Sequence, residues 1–234
     1  MFPVVILAGG LATRMRPITE NIPKSMVPVA GIPFIHYQMC FLKEQGADKV
    51  VLCVGHLGEQ IEKYIGDGSL YGLDIVYSYD GPKLLGTGGA IMKALPLLGD
   101  AFFVMYGDSY LTCNLAKVEH SFLKRNSKAM LTVYQNNNQL DQSNIELIST
   151  IGCWVLRYDK EKPTGRMKYI DYGLGAMRSW VFEEYCYELN SLSEIYKRLS
   201  RCNLLMGYEV RNRFYEIGSK KGLADFEVYI RGKI

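Results

Sequence analysis

Short β-rich apolar runs alternate with helical patterns through the first 134 residues, and this alternation constrains the fold more than any other feature. The runs are residues 4–8, 50–54, 75–79, 101–106 and 129–134. Between them, Pro33 opens a helical pattern with Phe34, Tyr37, Phe41 and Leu42 near one face, ending at Gly46. Further helical patterns cover residues 59–65, 90–95 and 115–125. Strands that alternate with helices form parallel sheets with helices on both faces. The expected fold is α/β: a Rossmann-like, doubly wound, mostly parallel mixed sheet in three α/β/α layers. Ligands of such sheets bind beyond the carboxyl ends of the strands. Here Gly9-Gly10 follows the first run and Gly107-Asp108 the fourth, so both are expected to line one crevice.

The second half is less regular. A polar segment at 135–143 precedes strand patterns at 144–147, 153–158 and 168–174. Helical patterns follow at 183–190 and 193–201, strands at 204–210 and 213–217, and a last helix at 220–229. No repeat or linker divides the chain. One domain over residues 1–234 is expected, with the second half extending the sheet and adding a lid.

With 48% apolar and 22% charged residues, the chain can bury a sizeable core. A net charge of +3 without any Lys/Arg block argues against a nucleic-acid partner. No apolar run is long enough for a bilayer, and Met1-Phe2-Pro3-Val4 lacks a charged leader segment. The six cysteines form no C-x-x-C pair, and the three histidines lie far apart, so reduced thiols, a cytoplasmic setting and no zinc site are expected.

The chemistry concentrates in Val4-Val5-Ile6-Leu7-Ala8-Gly9-Gly10-Leu11-Ala12-Thr13-Arg14-Met15-Arg16-Pro17, followed by Pro23-Lys24-Ser25-Met26-Val27-Pro28-Val29. It fits neither G-x-x-x-x-G-K-[ST] nor G-x-G-x-x-G. Adjacent glycines still let the backbone approach a ligand and present N–H groups to an anion. Arg14 and Arg16 add planar donor forks, and Lys24 adds a compact charge.

The span from Leu7 to Val29 resembles the signature of the sugar-1-phosphate nucleotidyltransferases, L-A-G-G-x-x-T-R-x-x-P-x-T and then P-K-x-M-x-P-V. Four more segments resemble that family in order: Leu85-Gly86-Thr87-Gly88-Gly89-Ala90, the strand ending in Gly107-Asp108, Asp159-Lys160, and Glu216-Ile217-Gly218-Ser219. Within the family the chain most resembles the short mannose- and heptose-1-phosphate guanylyltransferase-like enzymes.

The resemblance implies a GT-A-like nucleotidyltransferase fold, with residues 1–134 binding nucleotide and 135–234 binding sugar. It also implies a reaction: an NTP and a sugar 1-phosphate give an NDP-sugar and pyrophosphate, with Mg²⁺ as cofactor. The nucleophile is already an anion, so alignment and charge neutralisation carry the catalysis. Arg14 would hold the β- and γ-phosphates, and Lys24 would draw the α-phosphate and the sugar phosphate together. Asp108 and Glu216 would bind the metal, although the family usually has Asp at the Glu216 position. Leu7, Ala8, Gly9, Gly10, Thr13, Gly86, Thr87 and Gly107 would surround the nucleotide. Asp80 falls where a side chain would read the base; it could accept N–H bonds from guanine, cytosine or uracil. Lys24, Gly88 and Lys160 would meet the sugar phosphate, and Asn144, Asp171, Tyr172 and Gly173 are candidates for the sugar.

Two other classes remain in view. One is a non-catalytic nucleotide-sugar-binding subunit of the same fold, which intact Arg14, Lys24 and Asp108 argue against. The other is a nicotinamide-dependent oxidoreductase, disfavoured by the missing third glycine. Neither a hexapeptide repeat nor a long C-terminal dimerisation helix is present, so no β-helix extension is expected and homodimerisation is left open.

Overall fold

The computed structural model describes residues 1–136, 140–148 and 153–233. In chain order the elements begin β1 (Val4–Leu7), β2 (Pro28–Val29), β3 (Ile32–Pro33), α1 (Phe34–Glu44), β4 (Lys49–Val54), α2 (Gly58–Ile65), β5 (Asp74–Tyr79) and α3 (Gly86–Ala94). Next come β6 (Ala101–Tyr106), β7 (Ser109–Tyr110), α4 (Leu115–Lys124), β8 (Ala129–Gln135), β9 (Ile145–Ile148), β10 (Trp154–Tyr158) and β11 (Tyr169–Arg178). The chain then continues through α5 (Ser179–Cys186), α6 (Leu192–Arg201), β12 (Leu205–Val210), β13 (Tyr215–Glu216) and α7 (Lys220–Arg231).

One nine-stranded sheet runs through both halves in the order β5-β4-β1-β6-β11-β8-β12-β10-β9. The block β5-β4-β1-β6 is wholly parallel. Beyond it, β11 runs antiparallel to both β6 and β8, β12 is parallel to β8, and β10 and β9 are antiparallel. The chain builds outward from β1 to β5 and then returns to place β6 on the other side of β1. That reversal of winding opens a crevice between β1 and β6.

Alternation along the central strands feeds two cores. Val4 and Ile6 of β1, with Val50 and Leu52 of β4, pack under α1, α2, α4 and α7. Val5, Val51, Cys53 and Val104 face the opposite way, under α3, α5 and α6. Both faces of the sheet are therefore covered, which is why its central strands read as nearly continuous apolar runs. The expected three layers and mixed sheet are present.

Some sequence expectations shift. The strand expected at 168–174 runs on to Arg178. Gly173 and Gly175 look like strand breakers, but each has a packing reason. Gly173 takes φ +101° where the β11–β8 register slips between Asp171 and Gly175. A Cβ on Gly175 would lie only 2.1 Å from the Tyr196 hydroxyl oxygen. The helix expected at 183–190 instead starts at Ser179, directly off β11. Helices α5 and α6 pack into the core layer on the sheet rather than forming a lid. The polar segment at 135–143 lies partly outside the described residues.

Candidate active site

Backbone hydrogen bonds tie four parallel strand ends side by side. The amide of Gly107 donates to Leu7 O (2.9 Å), that of Ala8 to Cys53 O (2.8 Å), and that of Asp80 to Val54 O (2.9 Å). Only small residues allow this approach. A Cβ on Gly107 would lie 2.7 Å from Leu7 O, and one on Gly55 would lie 2.8 Å from Gly9 O.

Above these strand ends lies a cleft of about 280 Å³ lined by Leu7, Ala8, Gly9, Gly10, Lys24, Asp80, Gly86, Thr87, Gly107 and Asp108. Cys53, Leu84, Ala90 and Tyr106 also line its walls, with Ala12 and Ser25. One end is therefore an apolar slot between the Gly9-Gly10 turn and the start of α3.

The Asp80 carboxylate sits at this slot. Its Oδ2 would be 3.3 Å from a Cβ on Gly9, and it accepts the Leu85 amide at 3.2 Å. Burial raises its pKa above the ordinary carboxylate value, opposed by the Leu85 amide and by Lys93.

The other end of the cleft is charged. Lys24 Nζ donates to Asp108 Oδ2 at 2.6 Å, with both side chains about one-quarter to one-third exposed. Strand β13 pairs antiparallel with β7, placing Glu216 opposite Ser109, and the Ile217 amide donates to Asp108 O at 2.9 Å. The Glu216 carboxylate accepts the Gly218 amide through Oε2 and the Ser219 hydroxyl through Oε1. Ser219 in turn caps α7 by accepting the Gly222 amide at 2.9 Å. Glu216 thus curls back to the positive end of a helix, which suits its charge.

Three charged atoms converge near Gly218. A Cβ there would lie 2.5 Å from Glu216 Oε2, 2.7 Å from Lys24 Nζ and 3.5 Å from Asp108 Oδ2. Two carboxylates, Asp108 just before β7 and Glu216 on the paired β13, fit a hard divalent cation such as Mg²⁺, with phosphate and water oxygens to complete its shell. Among the described residues no group of three or more His, Cys, Asp or Glu side chains converges.

Arg14 and Thr13 lie on an exposed 3-10 turn, Thr13–Met15, outside the lining of the cleft. The turn is anchored by buried Met15 and by the Thr19 hydroxyl, which donates to Ala12 O at 2.8 Å. Gly86 and Thr87 line the cleft, but Gly88 turns away. Its amide donates to Asn190 O at 2.9 Å, and a Cβ would lie 2.1 Å from Leu189 O. The structure therefore places Gly88 against the α5–α6 connection, where only a glycine fits, rather than beside a sugar phosphate. Thr87 reinforces that contact by accepting the Leu192 amide at 2.7 Å.

In the second half, Tyr172 is fully buried, and its hydroxyl meets the Thr112 amide and hydroxyl, each at 3.0 Å. Its ring packs on Phe214, so the expected contact with a sugar ring is replaced by a core position. Asp171, one residue earlier, points to the other face. It pairs with Lys160 at 3.4 Å, and its oxygens accept the Gly173 amide at 3.0 Å and the Tyr158 hydroxyl at 3.1 Å. Asn144 is buried beside it, and its Oδ1 faces the Asp171 amide at 3.4 Å.

Asp159, next to Lys160, is held near a pKa of about 2. Burial opposes this, but the Lys162 amide, Lys197 and the Glu161 amide together outweigh it.

Several contributors were missed in the sequence. Gln38, buried on α1, donates through Nε2 to Tyr106 O (3.0 Å) and Ser109 O (2.8 Å), pinning the turn that carries Asp108. A glutamine on the apolar face of a helix was the available signal. Gly55, Tyr106 and Tyr158 carried none, because their roles depend on which strands become neighbours.

The chain belongs to the nucleotidyl transferase family, whose model matches residues 3–194. It is similar to the N-acetylmuramate alpha-1-phosphate uridylyltransferase of Neisseria meningitidis serogroup B, 47% identical over 105 residues, 44% of this chain and 46% of that protein. It is also similar to the D-glycero-alpha-D-manno-heptose 1-phosphate guanylyltransferase of Campylobacter jejuni, 36% identical over 138 residues, 59% of each. The chain spans about half the length of these curated relatives. The crystal structure of HddC from Yersinia pseudotuberculosis, complexed with GMP-PN, matches with a TM-score of 0.81 at 22% identity, covering 98% of this chain and all of that one. At that identity the likeness is one of fold.

Proposed function

We propose that the protein transfers a nucleotidyl group from an NTP to a sugar 1-phosphate, releasing pyrophosphate. The observation that carries this reading is the convergence of Lys24, Asp108 and Glu216 at one end of a cleft whose other end is an apolar slot beside Asp80. Residues 1–134 would serve the nucleotide and 135–234 the sugar.

The chain's own groups divide the work. Gly9 and Gly10 bring bare backbone to the nucleotide, and exposed Arg14 is free to swing toward the outer phosphates. Lys24 is the central cation: its ammonium can leave Asp108 for phosphate oxygens, holding two anions at contact distance. No general base is required, since a phosphate oxygen is already the nucleophile. Asp108, with Glu216, would hold Mg²⁺, which would supply further neutralisation of phosphate charge.

Asp80 favours bases that offer an N–H to an acceptor. GTP with a mannose- or heptose-type 1-phosphate is the pairing placed first, supported by the motif resemblance and by the Campylobacter guanylyltransferase. UTP is the second reading, favoured by the 47% identity to the Neisseria uridylyltransferase. The test is pyrophosphate release across four NTPs and a panel of sugar 1-phosphates. Turnover with GTP or UTP supports the reading, and silence across the whole panel overturns it in favour of a binding subunit.

A further inference from the structure

The carboxylate of Asp171 has no direct route to a ligand. Its side chain is only 3% exposed, and its polar neighbours are all supplied by the chain. Oδ1 accepts the Gly173 amide (3.0 Å), while Oδ2 faces the Tyr106 hydroxyl (3.3 Å), the Tyr158 hydroxyl (3.1 Å) and Lys160 Nζ (3.4 Å). A buried carboxylate is costly unless paired and hydrogen-bonded, and here the pairing cation is Lys160.

Lys160 itself is 41% exposed. Its ammonium lies 5.5 Å from the centre of the Tyr106 ring and 5.8 Å from that of Tyr158. Tyr106 is a wall of the nucleotide cleft, two residues before Asp108. Lys160 therefore stands beside a wall residue of the cleft, outside the lining itself, with one side turned to solvent and the other drawn inward by Asp171.

The backbone is shaped for this. The register slip in β11 begins at Asp171, and Gly173 at φ +101° lets the chain turn so that its own amide reaches back to Oδ1. Burial, with the charge of Asp171 beside them, pushes the phenols of Tyr106 and Tyr158 well above their ordinary pKa, so both remain donors to the carboxylate.

We infer that Asp171 is a positioning residue: through its ion pair it holds the Lys160 ammonium over the Tyr106 ring, where that cation meets the phosphate of the incoming sugar substrate. This rests on the nucleotidyl-transfer reading for its substrate, but not for its geometry. A residue acting only through Lys160 has a distinct kinetic signature. Asp171→Asn should raise KM for the sugar 1-phosphate about tenfold and leave KM for the NTP within about twofold. In Lys160→Met the same loss should be at least as large. The double variant should be no worse than Lys160→Met alone, because the two residues form one unit. Multiplying losses in the double variant, or an equal rise in both KM values for Asp171→Asn, would overturn the inference.

A second measurement is independent of turnover. Lysines carrying ¹³C-methyl groups keep their charge, and Lys160 is assigned by the signal lost in Lys160→Arg. In the unsubstituted protein that signal should stand apart from the exposed lysines, shifted by two tyrosine rings, and in Asp171→Asn it should move to join them. A Lys160 signal already among the exposed lysines before any change at Asp171 would refute the arrangement, whether or not Asp171→Asn folds. If no NTP and sugar phosphate pair reacts at all, the functional reading fails while this signal still decides the position of Lys160.

Discussion

The parallel block β5-β4-β1-β6 and the mixed block from β11 to β9 bring their polar groups together in different ways. In the first, the working positions are mostly backbone. Gly9, Gly10 and Gly107 sit at adjacent strand ends, and small residues let the Gly107 amide meet Leu7 O and let Gly9 O approach Gly55. In the second, side chains from three separated stretches come together, Asn144, Tyr158–Lys160 and Asp171, joined to Tyr106 of the first block. A parallel sheet brings every carboxyl end to one edge by construction, so a site can be made from the residue that happens to end each strand. An antiparallel block offers no such common edge, and its charges are gathered instead by a buried network around one carboxylate.

If this division is right, substitutions in the first block strike the chemical step and those in the second strike sugar binding or stability. The largest effect is expected for Lys24→Met. Removing the ammonium that pairs with Asp108 at the charged end of the cleft should cut kcat on the order of 10²–10³-fold with KM values little changed, measured as pyrophosphate release. A loss under threefold would break the first half of the comparison. Asp108→Asn comes next, at about 10²-fold in turnover with an unaltered circular dichroism spectrum. Binding of Mn²⁺, followed by its electron paramagnetic resonance signal, should weaken in parallel, and unchanged binding would remove Asp108 from the metal site.

Gly107→Ala tests the backbone itself. Its Cβ would press on Leu7 O at 2.7 Å and on the Ala8 Cα at 3.0 Å. The strand ends must part, at about 1–3 kcal/mol of unfolding free energy, with KM for the NTP rising more than KM for the sugar phosphate. Denaturant unfolding and steady-state kinetics report the two sides.

The smallest effect is expected in the second block, at Asp159. Its pKa is about 2 in the folded chain against an ordinary 3.8, so the stability it contributes is present above pH 4 and is lost as pH falls through about 2. Asp159→Asn should lower the melting temperature at neutral pH by a few degrees. The gap to the unsubstituted protein should close between pH 4 and pH 2. A gap that stays constant with pH would show that the Asp159 charge contributes nothing.

Much of the first block was legible in the sequence because its signals are local. An apolar run ending in two glycines already states a strand, a sharp turn and a close approach. The strand pattern at 213–217 places Glu216 just before the last helix, but not the way its carboxylate bends into that helix's first turn. The strand expected at 168–174 stops short of Gly175, whereas in the structure Gly175 continues it by accommodating the Tyr196 hydroxyl and Gly173 forms a bulge. Tyr172 and Asp171 were indistinguishable as sugar candidates, because alternation along a strand says that neighbours diverge but not which face holds the core.

The order of amino acids by itself determined the alternating strands and helices, the glycine turns at the strand ends and the presence of Lys24, Arg14 and Asp108 near them. These follow from backbone preference and apolar periodicity, which act over a few residues. Only the tertiary structure decided that Gly88 would face Asn190, that Tyr172 would be buried, and that Asp171 would gather Tyr106, Tyr158 and Lys160. Those outcomes depend on strand pairing across long stretches of chain, where packing and the cost of burying a charge choose the neighbours.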